Sequence, residues 1–142
     1  MEELFRYFNI INKHSNVYLD NVLAPFGLCS CHRVFIHRIY ENPGITRDRL
    51  KNIVHIHPSN TTRTIDYLAS TGYIIKKVND DDKRICELYP DKKLEEVYNV
   101  LVKAEKDWID IITLGISDKD LEKYNELLKI SANLSINYIH KK

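Results

Sequence analysis

Turn formers are scarce: the 142 residues include only 4 Gly and 4 Pro. That argues against a loop-rich β fold and against a glycine-rich phosphate cradle, and it favours a largely helical chain. No run approaches the ~18 apolar residues that a membrane span needs. The N-terminus, MEELFRYFNIINKH, carries charges where a secretion signal would be apolar. Three cysteines, Cys29, Cys31 and Cys86, are an odd number without an export signal, so no structural disulfide framework is expected and the reducing cytosol is the expected compartment. Charge of one sign is also missing. The chain has 21 basic and 20 acidic residues, a net +1, so any nucleic-acid partner must be argued from where the charge lies. Paired catalytic carboxylates in a cleft-like context and a nucleophile elbow are both absent, and an enzyme is not expected. No cofactor is expected either.

What remains is a composition 44% apolar and 29% charged, suited to one compact soluble domain over residues 1–142. Leu4, Phe8, Ile11, Ser15, Tyr18 and Val22 step by three and four, predicting a helix over about 2–23 that APFG (24–27) ends. A second helix starts at Cys29 or Ser30 and runs to Glu41, where Asn42-Pro43-Gly44 stops it. Thr46 reads as the N-cap of a short helix carrying Leu50, Ile53 and Val54. His57-Pro58 opens the next helix, which reaches Thr71 and stops at Gly72. YIIKKV (73–78) and RICELY (84–89) are strand-like and flank the turn NDDDK, making a hairpin with a charged tip. From Asp91 a long helix carries Leu94, Val97, Leu101, Ala104 and Trp108. Gly115 interrupts it, and a last helix begins at Asp118. The fold class is thus mainly α (α+β), a winged helix-turn-helix with long terminal helices. The core spans about 30–93, and the flanking helices span about 2–24 and 91–140.

The helix that begins HPSNTTR has four small polar residues and an arginine on its leading turns. At about 100° per residue, Thr61, Ile65, Leu68 and Ala69 share one side, which docks on the domain. Ser59, Asn60, Arg63 and Tyr67 share the other, with Thr62 and Asp66 at its flank. Arg can bond guanine bidentately, Asn can do the same to adenine, and Ser or Thr can serve bases or phosphates. The alternative is a solvated face with capping residues. One cap fits that alternative, but four poor helix formers in a row do not. Residues 46–93 hold ten Lys or Arg against seven Asp or Glu, a net +3, while the remainder is −2. Positive charge therefore gathers around this helix and the hairpin, where phosphates would be met. Asp82, two residues before Arg84, can orient that guanidinium at the wing tip beside Lys83.

With these residues in view, PGITRDRLKNIVHIHPSNTTRTIDYLASTGYIIKKVNDDDKR resembles the winged helix-turn-helix core of the MarR family of bacterial transcriptional regulators. The matching positions are Ser59, Asn60, Arg63, Leu68, Gly72, Tyr73 and Ile74, with Asp82 and Arg84 in the wing. The family's common Thr is Asn60 here, and Pro90-Asp91-Lys92-Lys93-Leu94 departs from the usual junction to the long helix. The resemblance implies a homodimer built from the terminal helices, binding a palindromic operator in double-stranded DNA, usually as a repressor, with a ligand or an oxidant relieving binding. The expected DNA contacts are Thr46, Arg47, Ser59, Asn60, Thr61, Thr62, Arg63, Tyr67, Lys76, Asp82, Lys83 and Arg84. The apolar stripes of the terminal helices independently call for cover, either across a two-fold axis or within one chain.

Three further features bear on regulation and metal binding. Tyr18, His32 and Tyr40 are candidates to line a pocket for a small phenolic or aromatic effector. Cys29 and Cys31, at a helix start, could sense oxidants, although Cys-x-Cys is not the redox Cys-x-x-Cys and small half-buried residues at a helix start are the favoured reading. Cys86 reads as core. The spacing of His32, His37, His55 and His57 matches no metal-binding pattern, so no metal site is expected. The rival to an operator-binding regulator is a winged helix used only for protein contacts.

Overall fold

The computed structural model describes residues 1–140. Helix α1 (Glu2–Leu23) is followed by two single turns of 3-10 helix, Ala24–Phe26 and Ser30–His32. Then come α2 (Arg33–Glu41), β1 (Ile45–Thr46), α3 (Arg47–Val54), α4 (Pro58–Ser70), β2 (Ile74–Val78), β3 (Cys86–Pro90), α5 (Lys92–Ile112) and α6 (Asp118–His140). The sheet is antiparallel in the order β1-β3-β2, with Ile45 opposite Leu88 and Val78 opposite Cys86. This is a winged helix-turn-helix with long flanking helices. The two-residue strand β1 was not anticipated. It borders the hairpin, and its Thr46 also caps α3 by accepting the Arg49 N–H at 3.2 Å.

The chain divides into two compact units, Met1–Lys106 and Asp107–Lys142. In the first, Phe35, Ile36 and Ile39 of α2, Leu50 of α3, Ile65 and Leu68 of α4, Leu88 of β3 and Leu94, Val97 and Leu101 of α5 form one core. Leu94, Val97, Leu101 and Ala104 of the predicted α5 stripe are buried, whereas Trp108 at its end is half-buried. In α1 the buried residues are Leu19 and Leu23, one position past the predicted Tyr18 and Val22, which pack at the core's edge. Toward its start α1 leaves Leu4, Phe5, Phe8 and Ile11 exposed. In the second unit, α6 buries none of its residues, and Leu127, Ile130, Leu134, Tyr138 and Ile139 are open.

Helix α4 is bracketed as its sequence dictates. His57 is the N-cap, its Nδ1 accepting the Ser59 N–H, and Pro58 takes the first helical position, where a missing N–H costs nothing. At the other end Gly72 is left-handed (φ 81°). The Tyr73 N–H reaches the Leu68 carbonyl at 2.9 Å, and the Gly72 N–H reaches Ala69 at 3.2 Å. This Schellman pattern satisfies the last carbonyls and turns the chain into β2.

One polar link crosses the core's edge. Nε2 of His37 lies 2.9 Å from Glu105 of α5, and its Nδ1 lies 3.2 Å from Glu41. Both ring nitrogens face carboxylates, so the imidazolium fits best, and the hydrogen bond to Glu105 first of all holds His37 above its ordinary pKa of 6.5, against the pull of burial. Arg33, 3.8 Å from Glu105, and Tyr98, whose hydroxyl donates to Glu41 at 3.2 Å, share the same carboxylates. A folded pKa above the unfolded one contributes stability that is full below about 6.5 and is lost as pH rises through the raised value. The thermal midpoint is therefore expected to fall over that window in the parent chain. His37→Ala should lower it at pH 6 and flatten the fall, and a parallel pH profile in the variant would contradict this assignment.

Candidate nucleic-acid interface

The outer face of α4's first two turns carries Ser59, Asn60 and Arg63, all exposed. Their opposites, Thr61, Ile65 and Leu68, are buried. The Ser59 hydroxyl and His57 Nδ1 are 2.7 Å apart, which fixes the helix entry. Thr62 is half-buried and donates to the Pro58 carbonyl at 3.2 Å, leaving its oxygen lone pairs at the flank of the same face.

Below the helix start, Thr46, Arg47 and Asp48 of β1 and α3 meet Arg84, Ile85 and Cys86 of the wing around a cavity of about 210 Å³. Arg47 Nε is buried there without a hydrogen-bond partner. A buried unpaired donor on a cation is costly, and an anion brought to this cavity would offset that cost. In the wing, Asp82 orients Arg84 as its spacing suggests. The guanidinium donates twice to the carboxylate, each bond 3.1 Å long, and the Arg84 N–H adds a third at 3.0 Å. Those bonds hold Asp82 below the usual carboxylate range. Arg84 remains 90% exposed, a cation held in place and still facing solvent. The adjacent Lys83 is also exposed. Asn79 Oδ1 closes the tip by accepting the backbone N–H groups of Asp81 and Asp82, while Asp80 and Asp81 are exposed.

Among the expected contacts one is corrected and three already have partners within the chain. Thr61 is fully buried, and its hydroxyl donates to the His57 carbonyl, so it faces the core rather than any groove. Tyr67, 39% exposed, turns its hydroxyl to the Gly27 carbonyl at 2.5 Å and stacks its ring on His32, 5.3 Å away. It anchors α4 to the segment after α1. Thr46 spends its hydroxyl oxygen on the α3 cap. Lys76 is held by Asp66 at 2.7 Å, which ties β2 to α4.

The comparisons with known proteins agree with this geometry. Residues 34–86 match the family model described as MarR family. Over 128 residues the chain is 26% identical to an uncharacterized HTH-type transcriptional regulator, YybA, of Bacillus subtilis (strain 168), covering 90% of this chain and 85% of that one. Among solved structures it is similar to a MarR protein from Peptoclostridium difficile DA00132, with TM-score 0.87 and 29% identity over 98% of this chain and 92% of that one. The winged core, residues 34–86, is a MarR-family domain. It also shares its fold, at TM-score 0.83 and 22% identity over 95% of this chain and 91% of the other, with a MarR-family regulator of Listeria monocytogenes solved with a 26mer DNA.

The relatives are transcriptional regulators and not enzymes, and this chain is a DNA-binding transcriptional regulator. No helix among its described residues is long and apolar enough to cross a membrane. The three candidate effector residues are engaged separately. Tyr40 stacks on Tyr98 with ring centroids 4.0 Å apart, His32 stacks on Tyr67, and Tyr18 packs at the core's edge.

The cysteines depart from expectation. Cys29 and Cys31 are joined by a disulfide, where free thiols were anticipated. Cys86 is half-buried against the core, as expected. Among the described residues one group could hold a metal, although none was expected: the sulfurs of Cys29 and Cys31 and a nitrogen of His32 lie within 4.8 Å of one another. His57 caps α4, as its place before Pro58 suggests, and its Nδ1 also holds the Ser59 hydroxyl. One residue important to the interface was missed. Tyr73 donates its hydroxyl to the Phe26 carbonyl at 2.5 Å, pinning the same turn that Tyr67 pins. Its place immediately after Gly72 is the signal that could have flagged it.

Proposed function

We propose that this regulator is a dimeric repressor that reads a palindromic operator with α4 and grips the flanking backbone with the wing. The observation that carries the reading is the split of α4: Ser59, Asn60 and Arg63 exposed on one face, Thr61, Ile65 and Leu68 buried on the other. In this reading Arg63 and Asn60 meet base edges, Ser59 and Thr62 serve bases or phosphates, Arg47 and Lys83 meet phosphates, and Arg84 enters the adjacent minor groove. Residues of about 30–93 are the DNA-binding core, and about 2–24 and 91–140 are the dimerisation helices. Support for the second copy comes from the open apolar residues of α1 and α6, since apolar surface of that extent on a soluble chain marks an interface.

Two-fold symmetry requires half-sites about one helical turn apart, ~34 Å. Hydroxyl-radical footprinting on the DNA upstream of the gene, with sedimentation velocity on the same sample, tests this. Two symmetric protected patches one turn apart and a dimer by mass are expected. A single patch bound by a monomer would refute it. Arg84→Ala should weaken binding alike on operator and random DNA and reduce the salt slope by about one unit. Loss of specificity without a change of slope would make Arg84 a base contact rather than a cation drawn in by the groove's negative potential.

For relief by a small aromatic effector the geometry offers less. Of the three candidate residues, His32 and Tyr40 already stack on other rings, so the proposal centres on DNA binding.

A further inference from the structure

The segment between α1 and α2 is tied to α4 more tightly than a connector needs to be. Tyr67 of α4 and Tyr73 just beyond it donate to the carbonyls of Gly27 and Phe26. Asp20 of α1 accepts the Ser30 N–H at 2.7 Å. The His32 ring stacks on Tyr67 at an interplanar angle of 19°. Cys31 lines a cavity of about 300 Å³ with Phe35, Ile56, Asn60, Arg63 and Thr64, which places it beside the two residues that the proposed operator reading depends on.

The same turn gathers three soft donors. His32 Nδ1 lies 3.4 Å from Cys29 Sγ and 3.8 Å from Cys31 Sγ. Separations of this size fit one ion at about 2.3 Å from sulfur and about 2.0 Å from nitrogen. The ring's tautomer is set by a neighbour. Nδ1 accepts the Cys29 backbone N–H at 2.9 Å, so Nε2 carries the proton and the unprotonated Nδ1 is the nitrogen that lies 3.4 and 3.8 Å from the two sulfurs. An arriving ion would replace that single hydrogen bond with a coordinate bond.

We propose that Cys29, Cys31 and His32, with the disulfide reduced, form a binding site for a thiophilic d10 metal ion on the turn that buttresses α4. Two thiolates and one imidazole select soft ions over hard ones. Three donors suit Cu(I) better than Zn(II), whose protein sites are tetrahedral. No fourth His, Cys, Asp or Glu joins the group among the described residues. Binding requires both sulfurs as thiolates. A water-soluble phosphine converts the disulfide to two thiols and becomes its oxide with oxygen from water. The ion then displaces the two thiol protons. Disulfide and metal are mutually exclusive, so the turn has two states beside Asn60 and Arg63. This site does not depend on the proposed operator reading, because its test reads metal rather than DNA.

The test is anaerobic titration of the phosphine-reduced, desalted chain with Cu(I) against a chromophoric chelator, and separately with Zn(II). One ion per chain is expected in the parent and in Cys86→Ser, which removes the third cysteine. Cys31→Ser should bind at least about 10-fold more weakly, since even outer-sphere changes at metal sites cost that much. Binding of either ion through these residues supports the site, and the competition identifies which ion it prefers. Unchanged binding in a Cys29→Ser/Cys31→Ser double variant with parental circular dichroism would overturn it. So would failure of the reduced parent to bind either ion.

Discussion

Arg63→Ala is expected to weaken operator binding by about 1–3 kcal/mol and to relax selectivity at one base position. The expectation follows from where Arg63 stands. It is exposed on the second turn of α4, one turn beyond Asn60, with the opposite face of the helix locked into the core by Ile65 and Leu68. A helix held that way brings the guanidinium to a fixed height in a groove, where a bidentate bond to guanine discriminates against other bases. Equilibrium binding to the operator and to single-base variants checks the claim. If Arg63→Ala lost affinity equally on all of them, with a smaller salt slope, the residue would be a phosphate contact instead. Asn60→Ala should behave similarly, at a different base position.

A second large effect is expected on stability. Phe35 is 1% exposed and lines one cavity with Ile56 and with Asn60, Arg63 and Thr64 of α4. Phe35→Ala should cost about 3–5 kcal/mol, the range for removing a buried aromatic side chain and leaving its space unfilled. That is a large share of the roughly 5–15 kcal/mol that holds a domain of this size together. Chemical denaturation followed by circular dichroism would show the midpoint collapse. A loss below about 1 kcal/mol would mean that the neighbouring cavity already lets the core relax around the ring.

Local chemistry made much of this fold readable. Pro58 and Gly72 bracket α4 because each supplies a backbone geometry that few other residues tolerate, and the winged core follows from that helix and the hairpin beyond it. The Asp82–Arg84 pair was legible because two residues across a turn leave one carboxylate facing one guanidinium. Residue type misled where periodicity did not. Thr61 falls on the docking side by spacing, yet its hydroxyl drew it into the contact set, and burial returns it to the core. Tyr67 lies on the outward face by spacing, but its long side chain swings back to Gly27, a partner 40 residues away that no local pattern encodes. The strand β1 is two residues long, too short to show alternation. The Cys29, Cys31 and His32 cluster escaped notice because familiar metal spacings separate the cysteines by two residues or more. A single 3-10 turn brings this tighter set together.

The central claim is that the outward face of α4 and the wing bind one DNA sequence in preference to others. Fluorescence anisotropy on duplexes tiled from the DNA upstream of the gene, repeated at several salt concentrations, tests it most directly. Tight binding to one palindromic tile is predicted, with affinity falling linearly in log–log against salt and other tiles bound far more weakly. Equal, weak affinity for every tile would leave only charge attraction. Absence of binding at low salt would contradict the account outright.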